Sequence, residues 1–264
     1  MGCMEAQRID EGLLSHLRCD GNFYNKMEMT MNGLTIGFLG GMGTYATIHA
    51  FKQYAEVFGA VKEWDRPRII IDNRCTMPSR ARAFLYNENV ELLVSEMTES
   101  IDNLMKAGCS KIILACNTSH LFLPYIYDRL PQAKGCIVDI INACVDKVAG
   151  DNIKTVYLLA SEGTIDSGIY HKALESRSIS CIVPLKEEYK DLRTCIEAVK
   201  QNVYSDQIET IFLNLINREE CGCILGCTEL PILYEKYYNK INRKNIYDPV
   251  RHALERINDD YRNG

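Results

Sequence analysis

Two cysteines stand where proton chemistry could be done. Cys116 lies in Leu114-Ala115-Cys116-Asn117-Thr118, and Cys227 in Leu225-Gly226-Cys227-Thr228-Glu229. In each, an apolar run gives way to small polar residues. A free thiol has a pKa of about 8.5, so thiol and thiolate are both accessible near neutral pH. Placed on opposite sides of one carbon, one cysteine can remove a proton while the other returns one. Swapping their protonation states runs the reverse reaction. The α-proton of an amino acid is weakly acidic, so such a site also needs fixed donors for the charge that develops on the carboxylate, and it must exclude water.

Candidates for those donors flank the thiols. Asn117 and Thr118 follow the first, and Thr228 and Glu229 the second. The turn Gly40-Gly41-Met42-Gly43 permits close backbone approach and offers amides at a helix start, which brings in Met42 and Gly43. Ser161 and Gly163-Thr164 repeat that arrangement later in the chain. A lone cysteine at a strand end usually only packs, and Asn or Thr after a strand is often a helix cap. His120 fits either a general acid or a buried capping residue. Tyr234, Tyr237 and Tyr238 read as a packing or interface surface.

The elements that must position these residues follow a strand–turn–helix rhythm. Leu34 to Leu39 predicts a strand that runs into the glycine turn, and Tyr45 to Phe58 a helix. Arg68 to Ile71 predicts a second strand, and Asn89 to Ala107 a long helix with Gly108 as its C-cap. Lys111 to Ala115 and Gly135 to Val138 predict two more strands, ending at Cys116 and Asp139. Strands alternating with helices argue for parallel sheets built from right-handed β-α-β units.

The chain then repeats itself. Shifted by 120 positions, Thr35, Gly43, Thr44 and Lys52 fall on Thr155, Gly163, Thr164 and Lys172. Shifted by 111, Cys116 falls on Cys227; shifted by 109, Ile137-Val138-Asp139 falls on Ile246-Tyr247-Asp248. Three weak matches in one order predict two similar α/β lobes, each a parallel sheet flanked by helices and related by a pseudo-two-fold repeat. Ligands bind beyond the carboxyl ends of such strands. Two equivalent cysteines would then face each other across one cleft.

Composition narrows the function further. The chain has 264 residues, 47% apolar and 25% charged, with a net charge of −5. That is the balance of a globular protein, not of a nucleic-acid binder. No apolar run nears the roughly 18 residues needed to cross a bilayer, and the first residues lack the apolar core of a signal peptide, so a cytoplasmic location is expected. The 12 cysteines include no C-x-x-C pair. No metal site and no disulfide framework are expected. Residues 1–32 are polar, have no clear helical period and read as an N-terminal extension.

These motifs resemble the aspartate/glutamate racemase superfamily, and within it the aspartate racemase branch. The resemblance runs from about Leu34 to the C-terminus. It is carried by Gly40-Gly41-Met42-Gly43, by Cys116-Asn117-Thr118-Ser119-His120, by Gly163-Thr164-Ile165-Asp166-Ser167-Gly168-Ile169-Tyr170 and by Gly226-Cys227-Thr228-Glu229-Leu230. Glutamate racemases usually have His where this chain has Glu229. The resemblance implies a cofactor-independent two-thiol reaction on aspartate, with glutamate as the alternative substrate, in a homodimer with the site between two lobes. It also implies that an Arg and a Lys hold the substrate's carboxylates. The family's Asn-Asn-Pro-x-x-Pro-Asp-Arg stretch corresponds to Asp72 through Arg80, which nominates Asn73 and Arg80, with Arg74 and Arg82 as competitors. Lys200 matches the family lysine. The last strand and helix are expected to return to the first lobe, giving lobes 33–140 plus 245–264, and 141–244.

Two other readings compete. Gly41-Met42-Gly43-Thr44-Tyr45-Ala46 fits G-x-G-x-x-A after a strand, with Asp72 ending the next strand, as in a dinucleotide-binding oxidoreductase. That fingerprint leaves the second copy and the paired cysteines unexplained. A broad-specificity or non-catalytic amino-acid binder of the same fold is the other.

Overall fold

The computed structural model of the chain describes residues 33–263; the extension expected over 1–32 lies outside the described residues. Among the described residues seven parallel strands form two sheets. β1 (Thr35–Gly40), β2 (Arg68–Asn73) and β3 (Lys111–Leu114) make the first, in the order β2-β1-β3. β4 (Thr155–Leu159), β5 (Ser180–Ile182), β6 (Gly222–Leu225) and β7 (Ile246–Tyr247) make the second, in the order β5-β4-β6-β7.

The repeat survives at the level of register. Ile36 pairs with Lys111 and Val156 with Gly222, the same partners under the shifts of 120 and 111. The amide after β3, on Ala115, bonds Leu39 O at 3.0 Å, and the amide after β6, on Gly226, bonds Leu159 O at 2.7 Å. The strand expected over Gly135 to Val138 contracts to a bridge between Ile112 and Ile137. Pro131–Gly135 form a 3₁₀ turn instead, because proline at its start favours a helical turn. The bridge is still the counterpart of β7, which pairs Cys223 with Ile246.

Helices connect the strands. In lobe 1 these are α1 (Thr44–Val57), α2 (Arg80–Tyr86), α3 (Val90–Lys106) and α4 (Leu123–Arg129), followed by α5 (Ile140–Gly150). In lobe 2 they are α6 (Glu162–Asp166), α7 (Ile169–Glu175), α8 (Tyr189–Gln201), α9 (Asp206–Ile216) and α10 (Leu230–Tyr237), followed by α11 (Pro249–Asn263). α3 ends as its sequence predicts, with Gly108 at φ +92° just beyond its cap.

α5 and α11 exchange lobes. Each follows its own sheet's last pairing, and each starts at an aspartate cap, Asp139 and Asp248, whose carboxylate accepts from backbone amides. α5 then packs on α7 of the second lobe, α11 packs on α1 of the first, and the two lie against each other. β7 stays beside β6, while α11 lies against α1 and α5. Gln53 of α1 donates to the Asp248 cap, and Arg251 pairs with Glu56 at 2.9 Å. Val250, Leu254 and Ile257 line the buried face of α11. Each such side chain contributes roughly 1.5–3 kcal/mol relative to exposure. One core consequently runs through both lobes, from Ile36, Phe38 and Ile113 to Val156, Leu158 and Phe212. A second core fills the far face of the first sheet around Leu39, Met97 and Leu114. Tyr237 packs on Phe212 and is buried, whereas Tyr238 is exposed. Among the described residues no helix is long and apolar enough to cross a membrane.

Candidate active site

Cys116 and Cys227 each sit two residues beyond their strand's end. Both line a single cavity of about 70 Å³ between the lobes. Met42, Arg80, Asn117, Thr118, Ser161, Lys200, Thr228 and Glu229 line it as well. A wider pocket of about 330 Å³ opens beside it, sharing Ser79, Ala81, Ser161, Ile196 and Lys200.

On the Cys227 side the dominant feature is a buried carboxylate. The Cys227 thiol donates to Glu229 Oε2 at 3.0 Å, and Thr228 Oγ1 lies 3.4 Å from the same oxygen. Burial pushes the Cys227 thiol well above its ordinary range; Glu229 and Cys116 push it further, and Lys200 opposes them. At neutral pH this cysteine is therefore a thiol. Glu229 Oε1 is buried and has no partner within the protein. Gly43 lies directly against it: a methyl group there would collide with that oxygen. Gly41 is equally constrained, with φ at +76° and the backbone of Arg74 where a side chain would go. The glycine turn thus faces a carboxylate, an unsuitable neighbour for the pyrophosphate of a dinucleotide.

On the Cys116 side the neighbours are neutral. Thr118 Oγ1 meets Thr164 Oγ1 at 2.8 Å and Ser161 Oγ at 3.1 Å, and the latter two are 3.1 Å apart. This hydroxyl triad spans the two lobes. Gly163 allows the approach, since its Cα side sits against Ala81 of α2. Asn117 is buried; its Oδ1 accepts from Tyr170, and its Nδ2 has no partner within the protein. His120 is buried behind the loop, with Nδ1 3.2 Å from Cys116 O. Burial lowers its pKa against the pull of Asp139, so the ring is neutral at pH 7. It does not line the cavity.

Of the three candidate arginines, Arg80 alone lines the cavity. Its Nη2 donates to Met42 O at 2.8 Å and its Nη1 to Pro78 O at 3.0 Å, leaving Nε buried without a partner. Arg74 is turned away onto Glu96, Glu99 and Ser100. Arg82 forks onto Glu88 and faces the outer pocket. Lys200 reaches the cavity from α8 while bonding Glu197 at 2.8 Å. Burial pulls its pKa down, but Glu197, Glu229 and Cys227 outweigh burial and hold it raised.

Three nominated residues do not line the cavity. Asn73 is exposed and bonds Thr44 and Cys75, because it ends β2, the edge strand of its sheet. Gly43 and Thr164 stand one layer back, behind Glu229 and Thr118. Ser79, Ala81, Ile196 and Gly226 line it without having been nominated. Ile196 was within reach of sequence reasoning, since its i, i+4 spacing from Lys200 puts both on one helix face. Among the described residues no group of three His, Cys, Asp or Glu side chains is placed to hold a metal ion.

Fold and cavity together define a two-lobed α/β protein with a cleft at the carboxyl ends of two parallel sheets. Residues 39–257 match the Asp/Glu/Hydantoin racemase family, and the chain belongs to that family, a family of isomerases. It is 25% identical over 215 residues to the broad specificity amino-acid racemase RacX of Bacillus subtilis, covering 78% of this chain and 90% of that one. Aspartate racemase of Picrophilus torridus is similar in structure, with a TM-score of 0.72 and 25% identity over 87% of this chain and 98% of that chain. Glutamate racemase of Francisella tularensis, solved with D-glutamate, shares the fold at a TM-score of 0.63 and 19% identity, over 88% and 82% of the two chains.

Proposed function

We propose that the chain interconverts L- and D-aspartate, with glutamate as the alternative substrate, by proton transfer between Cys116 and Cys227 at the α-carbon. The observation that carries this reading is a single cavity lined by both thiols, Arg80 and Lys200. Cys227, held as a thiol beside Glu229, delivers a proton to one face. Cys116 as thiolate removes the α-proton from the other. The reverse reaction starts from the swapped pair. Before the next turnover in the same direction Cys116 releases the proton it took and Cys227 takes one up; the burial and carboxylate that raise the Cys227 pKa favour the second half of that exchange.

The buried, partnerless donors suit the developing negative charge. Asn117 Nδ2 and Arg80 Nε are polar atoms that the protein leaves unpaired, and a substrate carboxylate can pair them. Arg80 and Lys200 together favour a dicarboxylate. The two thiols and the fixed donors supply every proton-transfer and charge-stabilising role without a cofactor. A homodimer, which rests on the family resemblance alone, and a cytoplasmic setting, which rests on the sequence pattern, belong to the same proposal.

The test is chiral chromatography of L- and D-aspartate and glutamate after incubation with wild type, Cys116→Ser and Cys227→Ser. Wild type is expected to racemise an acidic amino acid without added pyridoxal phosphate, and each variant to lose the activity. Full activity in either variant, or a requirement for pyridoxal phosphate, contradicts the reading.

A further inference from the structure

Tyr170 has no part in the thiol chemistry, yet it reaches the Cys116 loop from the other lobe. It lies on α7 and its ring is wholly buried in the shared core. Its hydroxyl donates to Asn117 Oδ1 at 2.6 Å. A carboxamide has two ends of opposite polarity. With the oxygen engaged by Tyr170, the nitrogen is the free end, and Asn117 Nδ2 is buried without a partner in a residue that lines the cysteine cavity. Turned the other way, the amide would present its oxygen to an anionic substrate.

We propose that Tyr170 is a positioning residue that fixes Asn117 with its NH₂ toward the substrate carboxylate. The proposal rests on the racemase reading above. The surroundings of the hydroxyl support it. Burial raises the Tyr170 pKa well above its ordinary range, and Cys144, Asp139, Asp248 and Cys227 add to the effect. The phenol therefore keeps its proton and has it available for Asn117 Oδ1, the acceptor that the geometry gives it.

The arrangement has no twin at the other thiol. Under the shift of 120 positions Tyr170 falls on Ala50, and under the shift of 111 Asn117 falls on Thr228. Thr228 bonds Ala115 O at 3.3 Å and needs no such anchor. The lock thus belongs to the Cys116 half of the site.

The experiment compares wild type, Tyr170→Phe, Asn117→Ala and the double variant for kcat and KM on the preferred amino acid, with Tm measured alongside. Phenylalanine keeps the ring packing and removes only the hydroxyl. The expected result is a roughly tenfold loss of kcat/KM in Tyr170→Phe, the scale of one hydrogen bond, and no added loss when Asn117 is already alanine. A Tyr170→Phe variant within about twofold of wild type, or one that costs the same tenfold in the Asn117→Ala background, overturns the positioning role. Asn117→Asp supplies an independent reading, because it keeps the acceptor for Tyr170 and removes the donor. It is expected to lose activity, and retained activity overturns the proposal even if Tyr170→Phe does not fold. Wild type that racemises no amino acid sinks the racemase reading and the positioning role with it. An active wild type with unimpaired Tyr170→Phe sinks the positioning role alone.

Discussion

The Cys116 and Cys227 loops occupy equivalent places at the ends of two sheets with matching strand order and register. Their surroundings differ in charge. Cys116 is followed by an amide and a hydroxyl that are tied to Tyr170, Ser161 and Thr164 of the opposite lobe. Cys227 is followed by a buried carboxylate that takes the thiol's hydrogen bond. The repeat supplies equivalent positions, and the side chains after each cysteine give them different surroundings. Burial, with Glu229 beside it, raises the pKa of Cys227.

The largest effects are expected from the thiols. Replacing either by serine should lower racemisation by about 10²–10⁴-fold, the usual worth of a general acid or base. Comparable residual activity from both variants would mean that the two halves contribute alike. Arg80→Gln comes next, with kcat/KM for an acidic amino acid falling roughly 10–100-fold, the cost of a charge-assisted contact. An unchanged value would remove Arg80 from substrate binding. Gly43→Ala forces a methyl against Glu229 and should lower stability by about 1–3 kcal/mol, read as a fall in Tm. Gly163→Ala, with its nearest contact at 3.2 Å on Ala81, should cost less. Equal losses would show that the carboxylate side is no more tightly built than the neutral side.

Glu229→Gln has the subtlest effect. Glu229 raises the Cys227 pKa by its charge and by its hydrogen bond. A neutral amide removes the charge, so the thiolate should form at lower pH than in wild type. The pH dependence of iodoacetamide labelling, followed on the Cys227 peptide by mass spectrometry, should shift downward while the Cys116 peptide moves less. No shift at Cys227 would contradict the role given to the carboxylate.

Much of this architecture is legible in the sequence, for reasons that are local. The strand ends at Cys116 and Cys227 and the glycine turn come from apolar runs bounded by turn residues, and the repeat ties them into equivalent sheets. Which lobe buries α5 and α11 is an expectation of the family resemblance and not of their own pattern. An amphipathic helix such as Pro249–Asn263 shows that it has a buried face but not which lobe buries it. The same limit explains Asn73. Its motif placed it beside Arg80, but it ends an edge strand and does not line the cavity. Tyr170 stood in a recognisable motif, yet its bond to Asn117 spans 53 positions and depends on how the lobes meet.

The claim that two thiols act on opposite faces is tested most directly by racemisation in heavy water, stopped at low conversion. Proton removal by one cysteine and delivery by the other predict solvent deuterium at the α-carbon of the product enantiomer, with the recovered substrate still carrying protium. Product that retains the substrate's own hydrogen, or label spread equally through substrate and product from the start, would contradict it.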